Sequence, residues 1–339
     1  MTELIFLLAS ERSGSNLISR IFGAHRDICA PGPSHLFRIM GCNRSGYRDD
    51  MDGRRTFEAD LRALFAAKIS RWKLDETDPH LGFLDADAGQ AKAILSIYQA
   101  EAAAAGKSGL FIKENQLYQF LDFVLGLGVE PKFLYLVRDP RDMALSWQNA
   151  RIARGGVIRA ADVWVEDQTQ FLSALDRLHG RFRTTSITYE NLIHATESCL
   201  RGACKDLGLS FDPHMLKFYK TDDAQANAAA SADWRNLARS VLDANSGKFR
   251  DAFSVEQIAY IEHVCRAPMA TLGYEVETDG LRPFGKFETF ADLREDLSSN
   301  EPWEKAAYVS VPEDEKQKRK IWADVQMRIE ARAHAAAAL

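Results

Sequence analysis

No stretch of the chain strings together the roughly 18 apolar residues that a membrane-spanning helix needs, so no span is expected. Cysteine is scarce. The five, at 29, 42, 199, 204 and 265, form no CxxC pair. Their number and spacing argue against a disulfide framework or a cysteine zinc site, and reduced thiols in a cytoplasm are the simpler reading. The first residues lack the basic start and small-residue cleavage site of a signal peptide. Excess charge of one sign is also missing: 43 Lys and Arg stand against 48 Asp and Glu, a net of −5. That balance gives no whole-chain case for nucleic-acid binding, and an anionic ligand would need a local site. No internal repeat of useful length is present.

What is present is a chain of 339 residues, 46% hydrophobic, long enough for a sizeable core. Short strand-like runs occupy Leu4–Ala9, Leu110–Lys113, Phe133–Val137 and Thr184–Thr188, most of them apolar without alternation. Such runs suit strands covered on both faces. Helical patterns lie between them, at Asn16–His25, Phe57–Trp72, Asp87–Ala105, Pro140–Ala153, Val163–Leu178 and Asn191–Leu207. Asp139 is placed to cap the helix that Pro140 opens, and Gly208 to close the one ending at Leu207. Pro31–Arg55 and Thr221–Asp233 read as irregular. The expected fold is α/β, a central parallel sheet flanked by helices on both faces. Residues 1–300 are expected to form its body, and 301–339, with the helical stretch after about Pro302, a helical C-terminal tail.

The densest chemistry lies at "LIFLLASERSGSNLISRIFGAH", Leu4 to His25. A buried strand ends in a loop of small polar residues and one Arg, and a helix follows at once. Such a loop points backbone N–H groups above the sheet, where the helix N-terminus adds roughly half a positive charge. Gly14 permits close approach; Ser13, Ser15 and Asn16 supply short donors; Arg12 adds a planar, permanently charged fork suited to oxyanions. The ensemble reads as an anion cradle, most naturally for a phosphate. The plainer alternative is a tight turn whose Ser merely caps the helix. GxxxxGK[ST], the usual magnesium-nucleotide loop, is absent.

A second segment, "KFLYLVRDPRDMALSWQNA" from Lys132 to Ala150, repeats the strand-to-helix design. Arg138 follows the strand and Ser146 stands eight residues later, less than two helical turns in. One anion could meet both.

Together, Arg-Ser-Gly-Ser after the first strand and "YLVRDPRDMALSW" resemble the sulfotransferases that use 3′-phosphoadenosine 5′-phosphosulfate, PAPS. The resemblance implies that the first loop holds the 5′-phosphosulfate and that Arg138 and Ser146 hold the 3′-phosphate. "ITYENLI" is similar to the family's Tyr-Glu-Asp/Asn-Leu segment and makes Tyr189 a candidate neighbour of the adenine. "SGKFRDAFSVEQ" is similar to the family's Gly-x-Trp-Lys/Arg segment, which implicates Gly247, Lys248, Phe249 and Arg250, with Phe249 in the Trp position. The four matches keep family order over residues 4 to 257. The departures are Arg12 where cytosolic members carry Lys, and Asn115 in "FIKENQ" where they carry a catalytic His.

A general base must therefore come from elsewhere. His35, in "APGPSHLF", is the first candidate, since imidazole titrates near neutrality. It lies near the place where related bacterial sulfotransferases keep an acidic base. Glu114 is the second, while His25, ending the first helix, reads as structural. The expected partner is a small-molecule acceptor, carbohydrate and lipid included, with a hydroxyl, or less readily an amine, as the nucleophile. No metal is required. Phe37, Tyr47, Trp72, Tyr118, Trp147 and Trp164 are candidates for an aromatic pocket or for core, and Arg38–Arg55 for an acceptor lid or a solvated loop. A small-molecule kinase using Asp139 for magnesium and a non-catalytic nucleotide-binding module are the alternatives. A homo-oligomer is compatible with the sequence.

Overall fold

The computed structural model describes residues 3–75, 89–151, 155–230, 232–278, 284–301, 304 and 311–338. Five parallel strands, β1 (Leu4–Ala9), β2 (Ile28–Cys29), β3 (Gly109–Lys113), β4 (Lys132–Val137) and β5 (Thr184–Thr188), form one sheet in the order β2-β3-β1-β4-β5. β1 lies at the centre, with Leu4 opposite Leu110 on one side and Phe6 opposite Phe133 on the other. Its alternate residues enter two separate cores. Leu4, Phe6 and Leu8 join one; Ile5, Leu7 and Ala9 join the other. A strand buried on both faces must be apolar throughout, which explains the unbroken run in the sequence.

One face is covered by α1 (Ser15–Gly23), α8 (Tyr189–His194) and α9 (Thr196–Asp206); the other carries α4 (Gln90–Ala104), α6 (Pro140–Gln148), α7 (Val157–Leu178) and α12 (Val255–Leu272). The chain winds toward β2 and β3 on one side of β1 and toward β4 and β5 on the other. This opens a crevice above the carboxyl ends of the central strands, the usual ligand position in open α/β sheets.

The expected caps form: Asp139 accepts from the Arg141 N–H at 2.8 Å, with Pro140 opening α6, and Gly208 follows α9 at φ +67°. Other boundaries differ from expectation. The two-residue strand β2 is too short to show any periodicity. α3 runs Met51–Ala66 rather than 57–72, because Asp50 caps it by accepting from the Gly53 N–H at 2.7 Å. α7 begins six residues earlier than expected. The expected helix at 191–207 is two helices parted at Ala195, beside which the Thr196 hydroxyl donates to the Leu192 carbonyl at 2.8 Å. The stretch 221–233 is not irregular: Thr221 accepts from the Ala224 N–H at 3.2 Å, and α10 (Asp222–Ala230) follows. Its alanines have high helix propensity without an amphipathic pattern to announce it. The stretch 31–55 contains α2 (Leu36–Cys42) and the start of α3. Asp87, Ala153 and Pro302, expected boundary residues, lie outside the described residues.

After α13 (Phe290–Asn300), α14 (Glu313–Ala337) packs back onto the body. Arg328 and Arg332 both reach the buried carboxylate of Asp60, the former at 3.1 Å, and Tyr47 donates to the same group at 3.1 Å. None of the described helices is long and apolar enough to cross a membrane.

Candidate active site

Above the carboxyl ends of β1, β3, β4 and β5 lies a cavity of about 290 Å³. Arg12, Gly14, Ser15, Asn16, His35, Arg138, Ser146 and Tyr189 all line it, so the tertiary fold brings together eight of the residues singled out from the sequence.

The loop between β1 and α1 has the form an anion requires. Arg12 and Gly14 both take positive φ, +66° and +94°. Gly14 is the N-cap of α1, and no side chain caps the helix. The N–H groups of the first turn are thus left for a ligand, and Ser15 is not the simple capping residue that a bare turn would need. Ser13 is the exception among the loop residues. Its hydroxyl is buried and donates to the Ser10 carbonyl at 2.7 Å, which shapes the loop from behind.

β4 and α6 bring the second segment onto the same spot. The Arg12 Nε donates to the Ser146 hydroxyl at 3.2 Å. Arg138 donates to the Arg12 carbonyl at 3.2 Å and the Asn245 carbonyl at 3.1 Å, and its guanidinium lies 4.4 Å from the Tyr189 ring centre. Trp164, otherwise a core residue, donates its indole N–H to the Arg138 carbonyl at 2.9 Å. Asn245 donates to the Tyr189 hydroxyl at 2.7 Å. A Cβ on Gly14 would stand 2.4 Å from the Tyr189 ring. Gly14→Ala is therefore expected to destabilise the fold by about 1–3 kcal/mol, through overpacking and a strained backbone, measured as a fall in the denaturation midpoint.

The segment 247–250 is placed differently from the sequence expectation. Gly247, Lys248, Phe249 and Arg250 do not line the cavity. The Gly247 and Phe249 N–H groups donate to Asp142, at 2.5 and 3.3 Å; Phe249 is buried; Arg250 pairs with Glu277 at 2.9 Å; Lys248 donates to Asn245 at 2.8 Å. These contacts hold the turn that presents Asn245. Sequence reading missed Asn245, Glu11 and Trp234 on the cavity wall, and no motif marked them. Lys113, the last residue of β3, and Asn115, two residues beyond it, both in "FIKENQ", also line the cavity. Burial depresses Lys113 to about 8.

His35 lines this cavity and a second one of about 370 Å³ beside it. Burial lowers its pKa, an effect partly opposed by Glu114, whose Oε2 lies 3.7 Å from Nδ1. Glu114 itself is buried outside both cavities and accepts from the Tyr98 hydroxyl at 2.8 Å and the Phe37 N–H at 3.2 Å. Its carboxylate therefore faces His35, Tyr98 and the Phe37 N–H rather than either cavity. Among the described residues, the non-glycine positions with positive φ are Arg12, His35 and Gln116, and each lines one of the cavities. Strain of this kind concentrates where function over-determines the backbone.

Of the aromatic candidates, Trp147 lines the second cavity, while Phe37, Tyr47 and Trp164 are core. Arg38 lines that cavity as well, whereas Arg48 pairs with Asp50 at 3.0 Å on the surface, so 38–55 is not one arginine-rich lid. Asp139 is not disposed as a kinase would need. Both its oxygens are taken by Arg141, at 2.7 to 3.0 Å.

A parallel α/β sheet with an uncapped helix N-terminus and two convergent arginines at its carboxyl edge has the form of an anion-binding site. The chain belongs to the sulfotransferase family, whose model matches residues 4–213. It is 24% identical to the nodulation protein NoeE of Sinorhizobium fredii (strain NBRC 101917 / NGR234), over 83% of this chain and 68% of that protein. Two solved structures share the fold. The sulfotransferase domain from the curacin biosynthetic pathway has a TM-score of 0.60 at 20% identity, covering 81% of this chain and 99% of that one. The sulfotransferase domain from the Synechococcus PCC 7002 olefin synthase has a TM-score of 0.58 at 21% identity, covering 81% and 97%. Family membership supports sulfuryl transfer as the chemistry.

Proposed function

We propose that the protein transfers the sulfuryl group of PAPS to a hydroxyl of a small-molecule acceptor, carbohydrate and lipid acceptors included. The observation that carries this reading is the convergence of Arg12, Arg138 and Ser146 on one cavity at the uncapped N-terminus of α1. Two anionic ends of one nucleotide can be met there, one by the α1 loop and the other by Arg138 with Ser146. Tyr189, against Arg138, offers a flat face to a base.

The acceptor oxygen forms a bond to sulfur as the bond from sulfur to the 5′-phosphate oxygen breaks. The acceptor proton passes to the neutral imidazole of His35, and adenosine 3′,5′-bisphosphate leaves. Arg12, Lys113 and the α1 N–H groups face the charge that gathers on the departing phosphate, where preorganised donors act most strongly. Neither proton removal nor charge stabilisation in this scheme calls on a metal.

The test is ligand-induced stabilisation. Adenosine 3′,5′-bisphosphate at 100 times its dissociation constant should stabilise the fold by about 2.7 kcal/mol, while ATP with magnesium should do less. Arg138→Ala should erase the preference for the bisphosphate over adenosine 5′-monophosphate. Equal losses for both nucleotides would mean that Arg138 does not read the 3′-phosphate, and no stabilisation of the wild type by the bisphosphate would overturn the PAPS reading.

A further inference from the structure

The second cavity holds an unusual set of polar atoms. It shares His35, Glu11, Pro33, Trp234 and Arg319 with the first, so the two are continuous. Its lining carries buried polar atoms with no hydrogen-bond partner: the Arg38 Nε, the Trp147 Nε1, the Asp167 Oδ2 and the His35 Nδ1. Trp147 is only 4% exposed and Asp167 1%. An unpaired buried donor or acceptor costs about 1–3 kcal/mol, so such atoms rarely gather without a ligand to meet them. Arg38 and Trp147 can only donate. Asp167, one of whose oxygens accepts from the Tyr118 hydroxyl at 2.8 Å, accepts hydrogen bonds when ionised, and burial raises its pKa to about 6. The lining includes Arg38, Lys68, Arg159 and Arg319 beside Glu11 and Asp167, with Arg319 also paired to Glu315 at 2.6 Å.

The C-terminal helix completes this cavity. Arg319, Trp322 and Gln326 of α14 line it, and the Trp322 ring stands 5.8 Å from that of His35. α14 lies beyond the residues matched by the family model.

We propose that the second cavity is the acceptor site and that it takes a hydroxylated molecule carrying an anionic group. The anion is met by Arg38 and Trp147, a hydroxyl by Asp167, and an apolar or sugar face by Trp322 on α14. The inference rests on the sulfuryl-transfer reading, because it makes His35, at the boundary of the two cavities, the meeting point of nucleotide and acceptor.

The test uses the full chain saturated with adenosine 3′,5′-bisphosphate and two matched probe pairs, D-glucuronate with D-glucuronamide and 4-hydroxyphenylacetate with 4-hydroxyphenylacetamide. Binding is read by calorimetry. In at least one pair the carboxylate should bind about 10-fold more tightly than the amide, the scale of one hydrogen bond to a charged group. Arg38→Gln should abolish that preference while leaving bisphosphate affinity unchanged, which also shows that the variant is folded. Trp322→Ala should weaken both members of the pair alike. Equal affinity within both pairs, absence of binding by all four probes, or a preference that survives in Arg38→Gln overturns the proposal. Loss of bisphosphate binding by the wild type would instead strike the PAPS reading, so the two failures are distinguishable.

Discussion

Arg12→Ala is expected to lower turnover by about 100- to 1,000-fold, the usual effect of removing one preorganised donor from a developing negative charge. Arg12 stands at the turn of the β1–α1 loop with φ +66°, within 3.2 Å of Ser146 and 3.6 Å of Asp233. Its charge faces the cavity that the α1 N-terminus also faces. Affinity for PAPS should fall too, but by less than turnover, because the charge to be stabilised grows during transfer. Steady-state kinetics with a labelled sulfuryl donor measures the first quantity and equilibrium binding of adenosine 3′,5′-bisphosphate the second. A variant with wild-type rate and affinity would remove the loop from the chemistry.

His35→Ala is expected to reduce turnover by about 100-fold or more with little change in nucleotide binding. The pH profile gives a sharper reading. A base works in its unprotonated form, so kcat/KM, which reports the free enzyme, rises with pH through the pKa of His35. Burial places that limb below 6.5, the ordinary histidine value. Lys113 loses its charge at about 8, so the plateau should end in a fall above that pH. His35→Ala abolishes the acid limb and keeps the alkaline one. The carboxylate of Glu114 favours the imidazolium, so Glu114→Gln should move the acid limb to lower pH with a smaller loss of rate. If Glu114→Gln proves the more damaging change, or a folded His35→Ala enzyme turns over normally, the assignment of the base is wrong.

Much of this was legible along the chain because it is local. The unbroken apolar runs at 4–9 and 133–137 follow from burial on both faces of a parallel sheet. Asp139 and Pro140 announced the start of α6 because capping is settled within a few residues. Arg-Ser-Gly-Ser and the Arg138–Ser146 spacing needed only a strand and a helix in sequence to become a site. Which way Glu114 faces was not legible, because an acidic residue after a strand carries no sign of it. Only packing shows it turned toward Tyr98 and His35. The placement of the segment at 247–250 was hidden for a similar reason. Its basic residues are drawn to Glu277 and Asn245, and neighbouring Asn245 reaches Tyr189 instead.

The sequence by itself determined the fold class and the form of the β1–α1 loop, because both rest on short-range patterns of burial, capping and spacing, and its motifs carried the resemblance to the family whose model matches residues 4–213. The tertiary structure alone decided that the 12–16 loop, His35, the 138–146 segment and Tyr189 share one cavity, that His35 sits where two cavities meet, and that α14 supplies Trp322 and Arg319 to the second. Those contacts join residues as far apart as 35 and 322. Their energy comes from closing the sheet and its helices around one core, and no local pattern in the chain records which surfaces will then face each other.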